Sequence, residues 1–178
     1  MPVAAKVTLE HFREAYAECK PYFELLNGEP VQKALPTKLH ATLQGILYTL
    51  LRELGFQSMT ELTLAISDTW EPTPDVCGLL GTDDDEPYPT KPIPVVIEIL
   101  SPRDPFTRVI QKCRKYTEWG IPDILVFDPV GREAWHWDTS ADDLVHVRQS
   151  YLFQSKPVVL SLAEVFRRLD AESRSFPS

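Results

Sequence analysis

Residues 94–100 read Pro94-Val95-Val96-Ile97-Glu98-Ile99-Leu100, an apolar run interrupted by a single acid. A run this apolar, bounded by proline and turn residues, belongs to a strand buried on both faces, where a solitary carboxylate is costly. Glu98 therefore needs a partner, and the sequence offers two kinds. One is a divalent cation shared with Asp75, which sits at Pro74-Asp75-Val76 in the preceding apolar stretch; the other is an internal salt bridge.

The surrounding pattern supplies a sheet for that strand. Ile124-Leu125-Val126-Phe127 is a second buried run, closed by Asp128-Pro129, and a helix is expected between the two from Pro105 to Trp119, stopped by Gly120. Strand, helix and strand in succession suggest a βαβ crossover. Further strands are expected from Thr60 to Ile66, where the chain alternates, from Asp75 to Leu80, from Glu133 to Asp138, and around 144–147 and 150–154. Tyr22 to Val31 reads as a hairpin, because Asn27-Gly28 supplies the positive φ angles of a type I′ turn. Helices are expected over 8–19, from the Pro36-Thr37 cap to Gly55, and from Ser161, where Glu164 completes the spacing of a capping box. The fold class is α/β (α+β), in one domain over 1–178 with 1–7 and 171–178 as flexible tails.

With 178 residues and 43% hydrophobic side chains, a single core can form without disulfides. Cys19, Cys77 and Cys113 are odd in number and widely spaced, as expected of reduced core thiols in a cytoplasmic protein. No apolar leader follows Met1 and no stretch of about 18 apolar residues occurs, so neither export nor membrane spanning is expected. The 18 basic and 26 acidic residues leave a net −8, which argues against tight non-specific DNA binding. Charge is uneven, however: in 101–118 five basic residues face two acidic ones, a local +3, while Asp83-Asp84-Asp85-Glu86 reads as a solvated acidic loop.

Lateral pairing of the two strands would bring Asp75 and Glu98 together on one sheet face. Two carboxylates suit magnesium when phosphate and water fill its remaining positions, and the metal could then activate water beside a phosphodiester. The helix that follows offers a cation. With Phe106, Val109, Ile110, Cys113 and Tyr116 as its buried stripe, Lys112 falls roughly 100° and Lys115 roughly 155° from the centre. Lys112 is thus expected at the edge of the packed face with its ammonium in a polar pocket, and Lys115 in water. Arg108 is either a phosphate contact or a solvated charge, and His40 either contacts phosphate or satisfies a helix terminus. Tyr116 is expected in the core with its hydroxyl hydrogen-bonded, and Trp119, Trp135 and Trp137 as packing or interface residues.

Taken in order, Glu24-Leu25-Leu26-Asn27-Gly28-Glu29, His40 opening a helix, Pro74-Asp75-Val76, Glu98-Ile99-Leu100-Ser101-Pro102, Lys112 with Tyr116 four residues on, and Gly120-Ile121-Pro122 before a strand ending Asp128-Pro129 resemble the Uma-two family of restriction-endonuclease-like proteins. The resemblance spans about residues 8–168. It implies the PD-(D/E)XK nuclease superfamily: a restriction-endonuclease-like mixed β-sheet flanked by helices, with a magnesium-dependent phosphodiesterase site. By position, Asp75 and Glu98 would be the metal ligands, and Glu24 a third, outer ligand or water-holder, unless it is simply a solvated hairpin residue. Two departures stand out. The superfamily lysine two residues after the glutamate is Leu100 here, with Lys112 as the family's replacement, and Arg108 stands where many members have an aspartate.

The function expected is therefore a magnesium-dependent endonuclease, with manganese able to substitute, acting on nucleic acid, chiefly DNA. Asp75, Glu98, Lys112 and Glu24 would be catalytic, Arg108 and His40 would bind substrate, and aromatic strands around 135–137 and 151–153 would favour a homodimer or higher homo-oligomer. The alternative is a catalytically silent nuclease scaffold serving as a homo-oligomeric interaction or regulatory module.

Overall fold

The computed structural model describes residues 6–16, 18–81, 86–102 and 105–174. Most of the acidic stretch at 83–86, together with Arg103 and Asp104, lies outside them, as do the ends of both expected tails. The elements are α1 (Leu9–Tyr16), β1 (Phe23–Leu26), β2 (Glu29–Gln32), α2 (Lys38–Glu53), β3 (Gln57–Thr60), β4 (Trp70–Glu71), β5 (Val76–Leu79), β6 (Val95–Ile99), α3 (Phe106–Trp119), β7 (Asp123–Asp128), β8 (Glu133–Asp138), β9 (Asp143–His146), β10 (Ser150–Leu152), β11 (Val159–Ser161) and α4 (Leu162–Arg174).

A six-stranded mixed sheet in the order β3-β5-β6-β7-β8-β9 forms the centre. Its one parallel pair, β6 with β7, is the expected crossover through α3, and Gly120 ends that helix at φ 104°. Side-chain alternation on β6 sends Val95, Ile97 and Ile99 to one layer and Val96 and Glu98 to the other. The first layer packs on α2 and α4 through residues such as Leu43, Leu47, Leu51, Val165 and Leu169. The second packs on α3 through Val109, Cys113 and Tyr116. Close approach of α2 depends on Gly78 in β5, where a Cβ would stand 3.2 Å from Val95 Cβ and 3.4 Å from both Leu51 and Phe56.

The hairpin forms as expected, with Asn27 at φ 54° and Gly28 at φ 77°, and β4 extends it to three strands. Helix α2 starts at Thr37, whose side chain accepts the His40 N–H. Helix α4 starts after Ser161, whose Oγ accepts the Glu164 N–H.

Several expectations are corrected. The strand placed at 60–66 is instead β3, which starts three residues earlier and ends at Thr60, just before Glu61 takes φ 53°. The chain beyond it is irregular and buries Leu64, whose N–H reaches Pro72 O. The tails are shorter than expected: Val7 N–H bonds Gly28 O, and α4 continues to Arg174. Cys77 and Cys113 are buried free thiols, but Cys19 is only half-buried. Trp137, Tyr151 and Phe153 are core residues, so the aromatic surface that favoured a dimer is largely internal. Among the described residues no helix is long and apolar enough to cross a membrane.

Candidate functional site

Strands β5 and β6 run antiparallel with Val76 opposite Ile97, so the next step of the register sets Asp75 opposite Glu98 on the α3 side of the sheet. Both are buried, at 4% and 7% exposure, in the wall of a cavity of about 430 Å³ bounded by the hairpin, α2, β6 and α3. The structure brings Glu24, His40, Asp75, Glu98, Arg108 and Lys112 to this one cavity.

Lys112 lies deeper than its expected edge position. Phe106 is 50% exposed and drops out of the α3 stripe, which becomes Val109, Lys112, Cys113 and Tyr116. That set puts Lys112 within the packed face. Its Nζ lies 2.8 Å from Glu24 Oε1 and 2.7 Å from Glu98 Oε1. One turn on, Tyr116 donates its hydroxyl to Glu98 Oε1 at 2.6 Å. Glu24, which could have been a solvated hairpin residue, is instead buried and also accepts the Thr73 N–H at 2.7 Å. Lys115, on the outer side, is only partly exposed: its ammonium pairs with Glu118 and lies 5.8 Å from the Trp70 ring centre.

Asp75 has a different set of partners. Its Oδ2 accepts the Ile99 N–H at 2.7 Å and lies 3.5 Å from His40 Nε2, while Oδ1 accepts from Lys33 Nζ at 3.1 Å. Lys33 also donates to Glu61 Oε2 at 2.7 Å and Thr73 O at 2.8 Å. Gln44 links the same groups, donating to Glu61 Oε1 at 3.0 Å and Asp75 O at 2.9 Å. The sequence reading missed Lys33, Glu61 and Gln44. The hairpin register could have found the first: Lys33 N–H reaches Tyr22 O, so Lys33 falls on the same face as Glu24, which pairs with Val31.

Electrostatics separate the two central carboxylates. Burial disfavours the Asp75 anion, yet Lys33 and His40 outweigh it and hold its pKa below the usual carboxylate range. Glu98 goes the other way: burial comes first, Lys112 only partly offsets it, and Asp75 and Glu24 add repulsion, so its pKa is pushed up to about 7. Burial also disfavours the Lys112 ammonium, but Glu24 and Glu98 raise it above its ordinary value, and it stays protonated. Lys33 behaves likewise, with Asp75 as its strongest carboxylate neighbour.

The donor chemistry fits a hard divalent cation. Four carboxylates, Glu24, Glu61, Asp75 and Glu98, line the cavity; Lys33 and Lys112 are bonded to them, and Lys20 and Arg108 line it as well. Oxygen ligands of this kind are what magnesium takes. Among the described residues no three His, Cys, Asp or Glu side chains form a metal cage. A cation at Asp75 and Glu98 would thus draw its remaining oxygens from substrate and water, as magnesium sites commonly do.

Comparison with known proteins agrees with this architecture. The crystal structure of "a putative nuclease belonging to DUF820" from Anabaena variabilis ATCC 29413 superimposes with a TM-score of 0.78 over 92% of this chain and 99% of that one, at 18% identity. At that identity the likeness concerns the fold, a mixed nuclease-type sheet flanked by helices. No curated protein matches the chain. The model of the family described as "Uma2: Putative restriction endonuclease" matches residues 9–172, nearly the whole sequence. The chain belongs to the Uma2 family.

Proposed function

We propose that this protein is a magnesium-dependent nuclease, with manganese able to substitute, that hydrolyses phosphodiester bonds in nucleic acid. The observation that carries the reading is the register placing Asp75 opposite Glu98 at an open cavity, with the Lys112 ammonium held against Glu98. Asp75 and Glu98 would hold the metal. When bound, magnesium supplies Lewis-acid polarisation of the phosphate and lowers the pKa of water.

The chain's own groups do the positioning. Lys112, its ammonium favoured by Glu24 and Glu98, would orient or help deprotonate the attacking water and neutralise charge building on the phosphate oxygens. Glu24 is a positioning residue that anchors the Lys112 ammonium at 2.8 Å. Tyr116 fixes the Glu98 carboxylate through its hydroxyl, and His40 fixes Asp75 rather than substrate. Arg108, one turn before Lys112 on the cavity wall, is the candidate phosphate contact.

The test is cleavage of DNA by purified protein with magnesium or manganese, comparing the parent with Glu98→Ala, folding being checked by circular dichroism. Loss of cleavage in a folded variant supports the reading, and equal cleavage contradicts it. The pairing of Lys112 with two buried carboxylates favours a second reading, a silent homo-oligomeric scaffold in which the ion pair is purely structural. That scaffold would bind no divalent metal.

A further inference from the structure

The same cavity shows which form of nucleic acid suits it. Resting on the nuclease reading, we propose that it takes an unpaired nucleotide of a single-stranded chain, the base lying against Tyr22 at the mouth and the phosphate directed to the Asp75–Glu98 floor.

Three observations point there. First, the polar floor is recessed: Asp75, Glu98 and Lys112 are each at most 7% exposed and line the cavity. A rigid duplex carries its phosphates on a convex cylinder, whereas a single strand can lower one nucleotide into a recess. Second, the mouth is apolar and aromatic. Tyr22 and Leu35 line the cavity yet are 47% and 74% exposed, and Pro21 and Pro36 stand beside them. Lone exposed apolar side chains need no explanation, but an aromatic and an aliphatic one at the rim of a charged recess offer a base the stacking surface it loses on unpairing. A cation adjoins that surface, since Lys20 Nζ lies 5.7 Å from the Tyr22 ring centre, within reach of a flanking phosphate. Third, the chain carries a net −8, and several of its surface cations are paired with carboxylates: Arg13 with Glu71, Arg114 with Asp142, Arg132 with Asp170 and Arg168 with Glu53. Holding a long duplex backbone requires a positive surface, while one nucleotide in a cavity requires far less. A volume of about 430 Å³ is in the range of sites that enclose small organic ligands.

The experiment is fluorescence anisotropy of the whole chain with a labelled, unstructured DNA strand on the order of ten nucleotides, in calcium, which supplies divalent charge at the site without requiring turnover. A blunt duplex of the same sequence is the comparison, and Tyr22→Ala and Tyr22→Phe are the variants. The single strand is expected to bind at least tenfold tighter than the duplex, with Tyr22→Ala weakening it roughly tenfold and Tyr22→Phe retaining it. Duplex binding as tight as the single strand, no single-strand binding, or indifference to Tyr22→Ala would each overturn the inference. The nuclease reading is judged separately by metal-dependent, Glu98-dependent cleavage: duplex cleavage without single-strand preference removes this inference and leaves that reading standing.

Discussion

At the scale of single residues, the site is a set of charges that are tolerable only together. Lys112 and Glu98 are buried, and each supplies the counter-charge for the other. Removing one member of such a pair leaves the other uncompensated, so Lys112→Met is expected to destabilise the fold by about 3–5 kcal/mol, read from urea denaturation. Glu98 makes a pH-dependent contribution of known sign. Its folded pKa of about 7 lies above that of an exposed glutamate, so between about 4.5 and 7 the folded state holds a proton that the unfolded state has lost. Stability from this group therefore falls as pH rises through that window. In metal-free protein, Glu98→Gln should gain on the parent by on the order of 3 kcal/mol between pH 5 and pH 8, followed by denaturant titration at each pH. A difference that stays constant, or moves towards the parent, would contradict the assignment.

At the scale of elements, the register of β5 on β6 and the placement of α3 decide which side chains meet. The β5 strand is held close under α2 by Gly78, and Gly78→Val should cost about 1–3 kcal/mol through crowding against Val95, Leu51 and Phe56, measured by thermal denaturation. Much of this layer was legible in advance. The charged interruption in an apolar run identified Glu98, hydrophobic periodicity identified α3, and Asn27-Gly28 identified the hairpin that carries Glu24. What stayed hidden depended on contacts between distant segments. Periodicity alone includes Phe106 in the α3 stripe and puts Lys112 at its edge, because it cannot show that Phe106 in the first turn is half exposed. Lys33 meets Glu61 just after β3, where Glu61 adopts a positive φ that nothing in the local sequence demands of a glutamate.

For the whole molecule, the layers around the sheet explain how an acidic chain can offer a phosphodiester site. The net −8 is spread outside, while the cavity mixes four carboxylates with Lys33, Lys112 and, nearer its mouth, Lys20 and Arg108. A divalent cation would add two positive charges beside the carboxylates that phosphate would otherwise meet. Binding to the folded state alone raises stability by mass action, so the melting temperature of the parent should rise with magnesium, whereas Asp75→Asn should lose that response. The central claim, that Asp75 and Glu98 jointly hold a hard cation, is met most directly by isothermal titration calorimetry with manganese at pH 8, where Glu98 is ionised. The expected result is one site per chain in the parent and none in either Asp75→Asn or Glu98→Gln. No binding by the folded parent, or undiminished binding by both variants, would contradict it.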